Sequence, residues 1–201
     1  MSRVFLSLLF IFGLLFSANI PQTTYSSVVK VDGNYITLSN PIGLNGQSGV
    51  VIRNVGGSDY ILAYIKQTAN IQAKIIDTDP LNGNPFANIK PVVKVGDRVI
   101  GGFLYSKVVI LAPNKDVFNQ IQSQYGVNSQ NPDYFLSFLK GSTPSSSDYK
   151  KYAKTMGIGL FFIAKDGNID IYDPISGVTI AKGSYSSSNK SKMQPFYNNF
   201  N

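Results

Sequence analysis

Five apolar residues in a row, Val108 to Ala112, stop at Pro113-Asn114 and give way to an amphipathic stretch ending at Tyr125. The run is too short for a helix and has no polar alternation, so it reads as a strand covered on both faces, as in a parallel pair. Asp116 opens a helix with Val117, Phe118, Ile121 and Tyr125 along one side. A strand of this kind needs helices around it and a second buried strand beside it. Ile158 to Ala164 supplies that second run. Two more helices fill the interval. Asn131 caps the first, with Pro132 at its first position and Phe135, Phe138 and Leu139 on its buried side. Ser145 and Asp148 form a capping box for the other, where Tyr149, Tyr152, Ala153 and Met156 fall at i, i+3, i+4 and i+7. Lys150, Lys151 and Lys154 line its opposite face. A crossover of this length closes right-handed, so the two buried strands are expected to be parallel. Asp166-Gly167 and Asp173–Gly177 then turn the chain through Ile169–Tyr172 and Val178–Lys182 as a meander.

Upstream, the pattern is different. Val29 and Val31 alternate with Lys30, and Asp32-Gly33 turns into Tyr35–Leu38. Val50–Ile52 follows a loop, and Gly56-Gly57-Ser58 turns into Tyr60–Lys66, where Ile61, Ala63 and Ile65 share a face. Ile71, Ala73 and Ile75 alternate in the next strand. Asp77 to Pro91 is a long Pro-, Asn- and Asp-rich loop, and Gly96-Asp97-Arg98-Val99 is a turn leading into another strand. Short alternating strands with glycine turns and no helix predict a small β-barrel or curled antiparallel sheet. Gly101-Gly102 is expected to mark a bulge or crossover. The fold class is therefore α+β, a small barrel followed by an α/β layer with about three helices. Residues 19–102 form the barrel-like unit, 103–183 the α/β unit and 184–201 a flexible tail.

The first residues serve targeting. Arg3 precedes an apolar run from Val4 to Phe16, and Phe16-Ser17-Ala18 offers a small-residue cleavage site. Residues 1–18 have the form of a secretory signal peptide, with a core short of the ~20 residues a spanning helix needs. After its removal no stretch is apolar and long enough to cross a membrane. The expected localisation is exported, in the periplasm, with the cell surface or secretion as the alternative. Eighteen lysines and arginines face 11 acidic residues, all aspartate. In an exported chain that charge suits acidic lipid headgroups, cell-wall polymers or acidic proteins rather than nucleic acid.

The chain has no His, Cys, Glu or Trp. The usual general base, the thiol nucleophile and the soft metal ligands are thus absent, and hydrolysis would have to run on Ser, Lys, Tyr and Asp. Two Ser-x-x-Lys spacings occur, Ser137 with Lys140 and Ser147 with Lys150. They lack the companion motifs of penicillin-recognising enzymes and read as surface helix residues. Asp77, Asp79, Asn82 and Asn84, and separately Asp166, Asn168 and Asp170, are oxygen-rich enough to suggest calcium. Without a closing Glu, turn chemistry explains them better. Ala112-Pro113-Asn114 lacks the glycines of a phosphate cradle, and Asp116 would repel an anion there. No catalytic residue, metal or cofactor is expected. The candidate interaction residues are Lys150, Lys151, Lys154, Lys190 and Lys192, with Phe196, Tyr197 and Phe200 in the tail.

Gly96-Asp97-Arg98-Val99, Ile110-Leu111-Ala112-Pro113-Asn114, Phe135–Gly141 (FLSFLKG) and Gly157-Ile158-Gly159-Leu160 resemble the N-terminal domain of the plasminogen-binding proteins PgbA and PgbB of polar-flagellated spiral bacteria. The likeness runs from about Gly96 to Gly183. Its apolar and turn positions imply a shared fold. It also implies plasminogen as a possible partner, because plasminogen kringles are lysine receptors. A lysine-rich extension is the natural bait in that family, and here only Lys190 and Lys192 lie in the tail. The sequence reading is therefore a non-enzymatic envelope protein, a periplasmic scaffold or interaction module that partners other envelope proteins, an accessory of the flagellar motor being one such role. A surface plasminogen-binding protein is the alternative.

Overall fold

Glycine turns fold the upstream strands back on one another. β1 (Thr24–Asp32) and β2 (Tyr35–Leu38) form a hairpin through Gly33, whose φ of +57° suits glycine. β3 (Ser48–Val55) and β4 (Ser58–Ala69) form a second, and β5 (Gln72–Asp77) and β6 (Arg98–Gly101) complete the set. These are seen in a computed structural model that describes residues 20–78 and 92–186. The expected signal segment, most of the Asp77–Pro91 loop and nearly all of the expected tail lie outside the described residues. The strands pair antiparallel in the order β1-β2-β5-β4-β3-β6, and β6 returns to β1, so the sheet closes as a barrel. Closure removes the exposed edges that six short strands would otherwise present. The α+β class with a small barrel is as the sequence predicts.

Val28, Ile36, Leu38, Val51, Ala63, Ile65, Ala73 and Val99 fill the barrel, following the strand period of two. Three expectations fail here. Val29, expected to share a face with Val31, is 48% exposed, and Val28 takes the interior place across a register shift between Val28 and Lys30. Ile61 does not share a face with Ala63 and Ile65, because the register shifts between Val51 and Ile52, which pair with Ala63 and Ile61. The bulge adds Leu62 to the interior and turns Ile61 to the outer wall beside Val50, Ile52 and Tyr64. Ile71 lies in the turn before β5, not in the strand, and is 40% exposed.

The second unit contains a five-stranded sheet in the order β11-β10-β9-β7-β8. β7 (Val108–Leu111) is the buried run, α1 (Lys115–Tyr125) follows it, and β8 (Ser129–Gln130) pairs parallel with it. α2 (Asp133–Leu139) and α3 (Ser146–Met156) lead to β9 (Leu160–Lys165), which lies parallel on the other side of β7. β10 (Asn168–Asp173) and β11 (Val178–Ser184) continue antiparallel. Val108, Ile110 and Ala112 pack with Val117, Phe118, Ile121 and Tyr125 of α1. Val109 and Leu111 pack with Phe135, Leu139, Tyr149, Tyr152 and Phe161 on the opposite face. The two-sided burial of β7 and its parallel partner agree with the sequence reading.

The helix ends explain themselves locally. The Asn114 side chain accepts from the Val117 N–H at 3.0 Å, and Gly126 closes α1 in the left-handed region. The Ser145–Asp148 capping box is formed, and the Ser145 hydroxyl, its largest donor, holds the Asp148 carboxyl below its usual range. At α2 the cap position is Pro132 rather than Asn131, although the Asn131 side chain still accepts from the Asp133 N–H at 2.9 Å. Met156, expected on the buried side of α3, is 42% exposed at its last turn.

Candidate functional site

The lysine stripe of α3 divides. Lys150 and Lys154 both place Nζ 2.8 Å from one carboxylate oxygen of Asp77, the last residue of β5. The Lys154 side chain is only 4% exposed, and its ammonium sits 5.0 Å from the Tyr64 ring centroid on the barrel wall. The expectation that all three lysines line an outer face is thus corrected for two of them. α3 turns them toward the barrel, where Asp77 pairs with both and Tyr64 covers one. Lys151 alone of the three is exposed. Lys190, Lys192, Phe196, Tyr197 and Phe200 lie outside the described residues.

A second clasp joins the same two units. Asp173, at the end of β10, is fully buried. Its Oδ2 accepts from the Tyr105 hydroxyl at 2.6 Å and from the Ser48 N–H of the barrel at 2.7 Å. Its Oδ1 accepts from the N–H groups of Ile175 and Ser176 at 2.9 and 3.1 Å. Four donors on one carboxylate satisfy the oxygens that burial takes from water. Burial, reinforced by Asp173, pushes the Tyr105 hydroxyl far above the ordinary tyrosine range, so it stays a donor. A cavity of about 30 Å³ lies between units beside Ser48, Tyr64, Phe103, Lys154 and Ile175. That is room for about one water, not a substrate. A wider, open groove of about 890 Å³ runs between Ile20–Thr23 and the end of α1.

The arrangements weighed for chemistry resolve into structure. Lys150 is committed to Asp77, and Ser147 Oγ shares a 3.0 Å hydrogen bond with Ser145 Oγ. Lys140 has left the helix, with φ +50° and ψ +37°, so Ser137 and Lys140 do not keep helical spacing. Asp77 is the lysine partner just described, while Asp79, Asn82 and Asn84 are outside the described residues. In the second loop the Asn168 side-chain N–H donates to the Asp166 carbonyl, and Asp170 faces Lys182 at 3.7 Å. Among the described residues, no cluster of three acidic side chains is placed to hold a metal. No described helix is long and apolar enough to cross a membrane.

With this geometry in place, the sequence family described as "Plasminogen-binding protein pgbA N-terminal" matches residues 23–201. The chain belongs to that family. The match begins at the first barrel strand and takes in the barrel as well as the α/β unit, well beyond the Gly96–Gly183 span of the motifs quoted above. No curated protein and no solved structure matches the chain. The family domain is thus the barrel and sheet together, and the residues that weld them are Asp77, Lys150, Lys154, Ser48, Tyr105 and Asp173.

Sequence reasoning missed Asp173 and Tyr105 as a buried pair. Their separation of 68 positions leaves no local signal. The Asp-Pro-Ile-Ser-Gly turn shows only the two Oδ1 bonds, which are ordinary turn chemistry.

Proposed function

We propose that this chain is an exported, non-enzymatic binding module that takes plasminogen, engaging its lysine-binding kringles through exposed lysine side chains. The observation that carries the reading is the family match over residues 23–201. It favours the plasminogen-binding alternative over the periplasmic scaffold. Neither the fold nor the comparisons speak for an accessory of the flagellar motor. The geometry is consistent with a binding role, since the polar groups at the centre of the molecule are consumed in holding its two units together. Recognition then falls to the outer faces, where a kringle could reach a lysine. Export rests on the signal-like residues 1–18, and a plasminogen partner requires the mature chain to reach the cell surface or beyond.

The test is binding of the chain without residues 1–18 to isolated kringle fragments and, separately, to the plasminogen protease domain. The reading expects saturable binding to the kringles alone. Equal binding to the protease domain, or none to either, would defeat it.

A further inference from the structure

We infer that Lys140 is the lysine presented to the partner's lysine-binding pocket, an inference that rests on the plasminogen-binding reading above. The three described helices end in the same way, on a residue in the left-handed region. For α1 that residue is Gly126 at φ +60°, and for α3 it is Gly157 at φ +67°. For α2 it is Lys140, at φ +50°. Glycine adopts this conformation without strain, whereas a side chain brings its Cβ against the following carbonyl. The chain uses glycine at two of three equivalent positions and departs from that pattern at the third. A local rule broken at an exposed position points to function rather than folding.

Lys140 is the one described lysine with a positive φ; Lys66, Lys94, Lys107, Lys115, Lys151 and Lys165 also take no ion pair among the described residues but keep ordinary backbone, and the other five are engaged. Lys150 and Lys154 are held by Asp77, Lys30 lies 3.6 Å from Asp32, Lys182 lies 3.7 Å from Asp170, and Lys74 lies over the Tyr35 ring. Lys140 is exposed and takes no ion pair among the described residues. It also opens the α2–α3 turn, followed at once by Gly141 at φ +84°, so its ammonium is carried at a corner of the molecule rather than on a flat helix face. The bland account is a cation placed to favour the last carbonyls of α2. α1 ends on glycine with no basic residue in its last turn, so the fold does not require such a cation.

Lys140→Gly is the decisive variant, because it removes the ammonium and relieves the backbone at once. Wild type, Lys140→Gly and Lys140→Arg are compared by surface plasmon resonance on plasminogen with ε-aminocaproate as competitor, and by thermal melting. The expected result is competitor-sensitive binding by wild type. Lys140→Gly should bind at least tenfold more weakly while melting no lower than wild type. A merely structural lysine would not give lower affinity together with undiminished stability. Equal affinity of Lys140→Gly and wild type overturns this inference and leaves the plasminogen reading standing. Full affinity of Lys140→Arg also overturns it, in favour of a general charge contact. No binding by wild type defeats the plasminogen reading itself, and this inference with it.

Discussion

Replacing Asp173 with alanine should loosen the joint between barrel and sheet more than any other single polar change. The substitution leaves four donors without their acceptor. The N–H groups of Ile175 and Ser176 are half-buried and can turn to water. The Tyr105 hydroxyl and Ser48 N–H are buried, away from bulk water. Each buried orphan costs about 1–3 kcal/mol, and loss of the carboxylate returns part of its own desolvation cost, so a net loss of about 3–4 kcal/mol is expected. For a protein of this size that is about 6–16 °C in melting temperature, read by far-UV circular dichroism and by urea unfolding. Tyr105→Phe alone should cost about 1–2 kcal/mol. In the Asp173→Ala background the same change removes an orphan hydroxyl and should cost almost nothing, giving a coupling of at least about 1 kcal/mol in the double-mutant cycle. A loss below about 0.5 kcal/mol for Asp173→Ala, the range of an ordinary surface substitution, would refute the reasoning, as would strict additivity with Tyr105→Phe.

Other consequences follow from the same geometry. Asp77→Ala should cost about 2–4 kcal/mol, since it removes the carboxylate 2.8 Å from the enclosed Lys154 ammonium, whereas Lys151→Ala should change stability by under about 0.5 kcal/mol; chemical denaturation compares them. Gly159→Ala should fail to fold or melt far lower, because its Cβ would fall on the backbone carbonyl of Leu104, whereas Gly126→Ala meets open space and bears only the positive-φ strain of about 1 kcal/mol. The alkaline limb of stability follows from the tyrosines. Burial raises the Tyr105, Tyr149 and Tyr152 hydroxyls above the ordinary value of 10.0, Tyr152 to about 12. Raised values favour the neutral form in the folded state, so their contribution is complete below pH about 10 and is lost as pH climbs through the folded values. The last phase of tyrosinate absorbance, that of the buried rings, should therefore coincide with loss of ellipticity above that pH. Ionisation of these three residues without unfolding would contradict their burial.

Legibility in the sequence followed the range of the interaction. The Val108–Ala112 run announced two-sided burial because both faces of β7 are apolar, and the Ser145–Asp148 box announced α3 because capping is a four-residue event. Glycine turns gave the hairpins. The bulge at Val51/Ile52 is not legible, since Ile61–Ile65 has no charged position to mark the phase. β8 was invisible because Ser129 and Gln130 carry no apolar signal; the Ser129 hydroxyl fixes it by accepting from the Ile110 N–H at 2.9 Å. The α3 lysines read as solvated because helical periodicity says which side a residue occupies, not that an aspartate from a distant strand will meet it there. Lys140 stands out in the sequence only as half of a Ser-x-x-Lys match, and its left-handed backbone is a fact of the fold.

The central claim is lysine-dependent binding of plasminogen by this barrel-and-sheet domain. It is tested most directly by titrating the chain without residues 1–18 over immobilised plasminogen, with and without ε-aminocaproate. Saturable binding that the lysine analogue displaces to baseline is the predicted result. Absence of saturable binding, or binding indifferent to the analogue, would contradict the account.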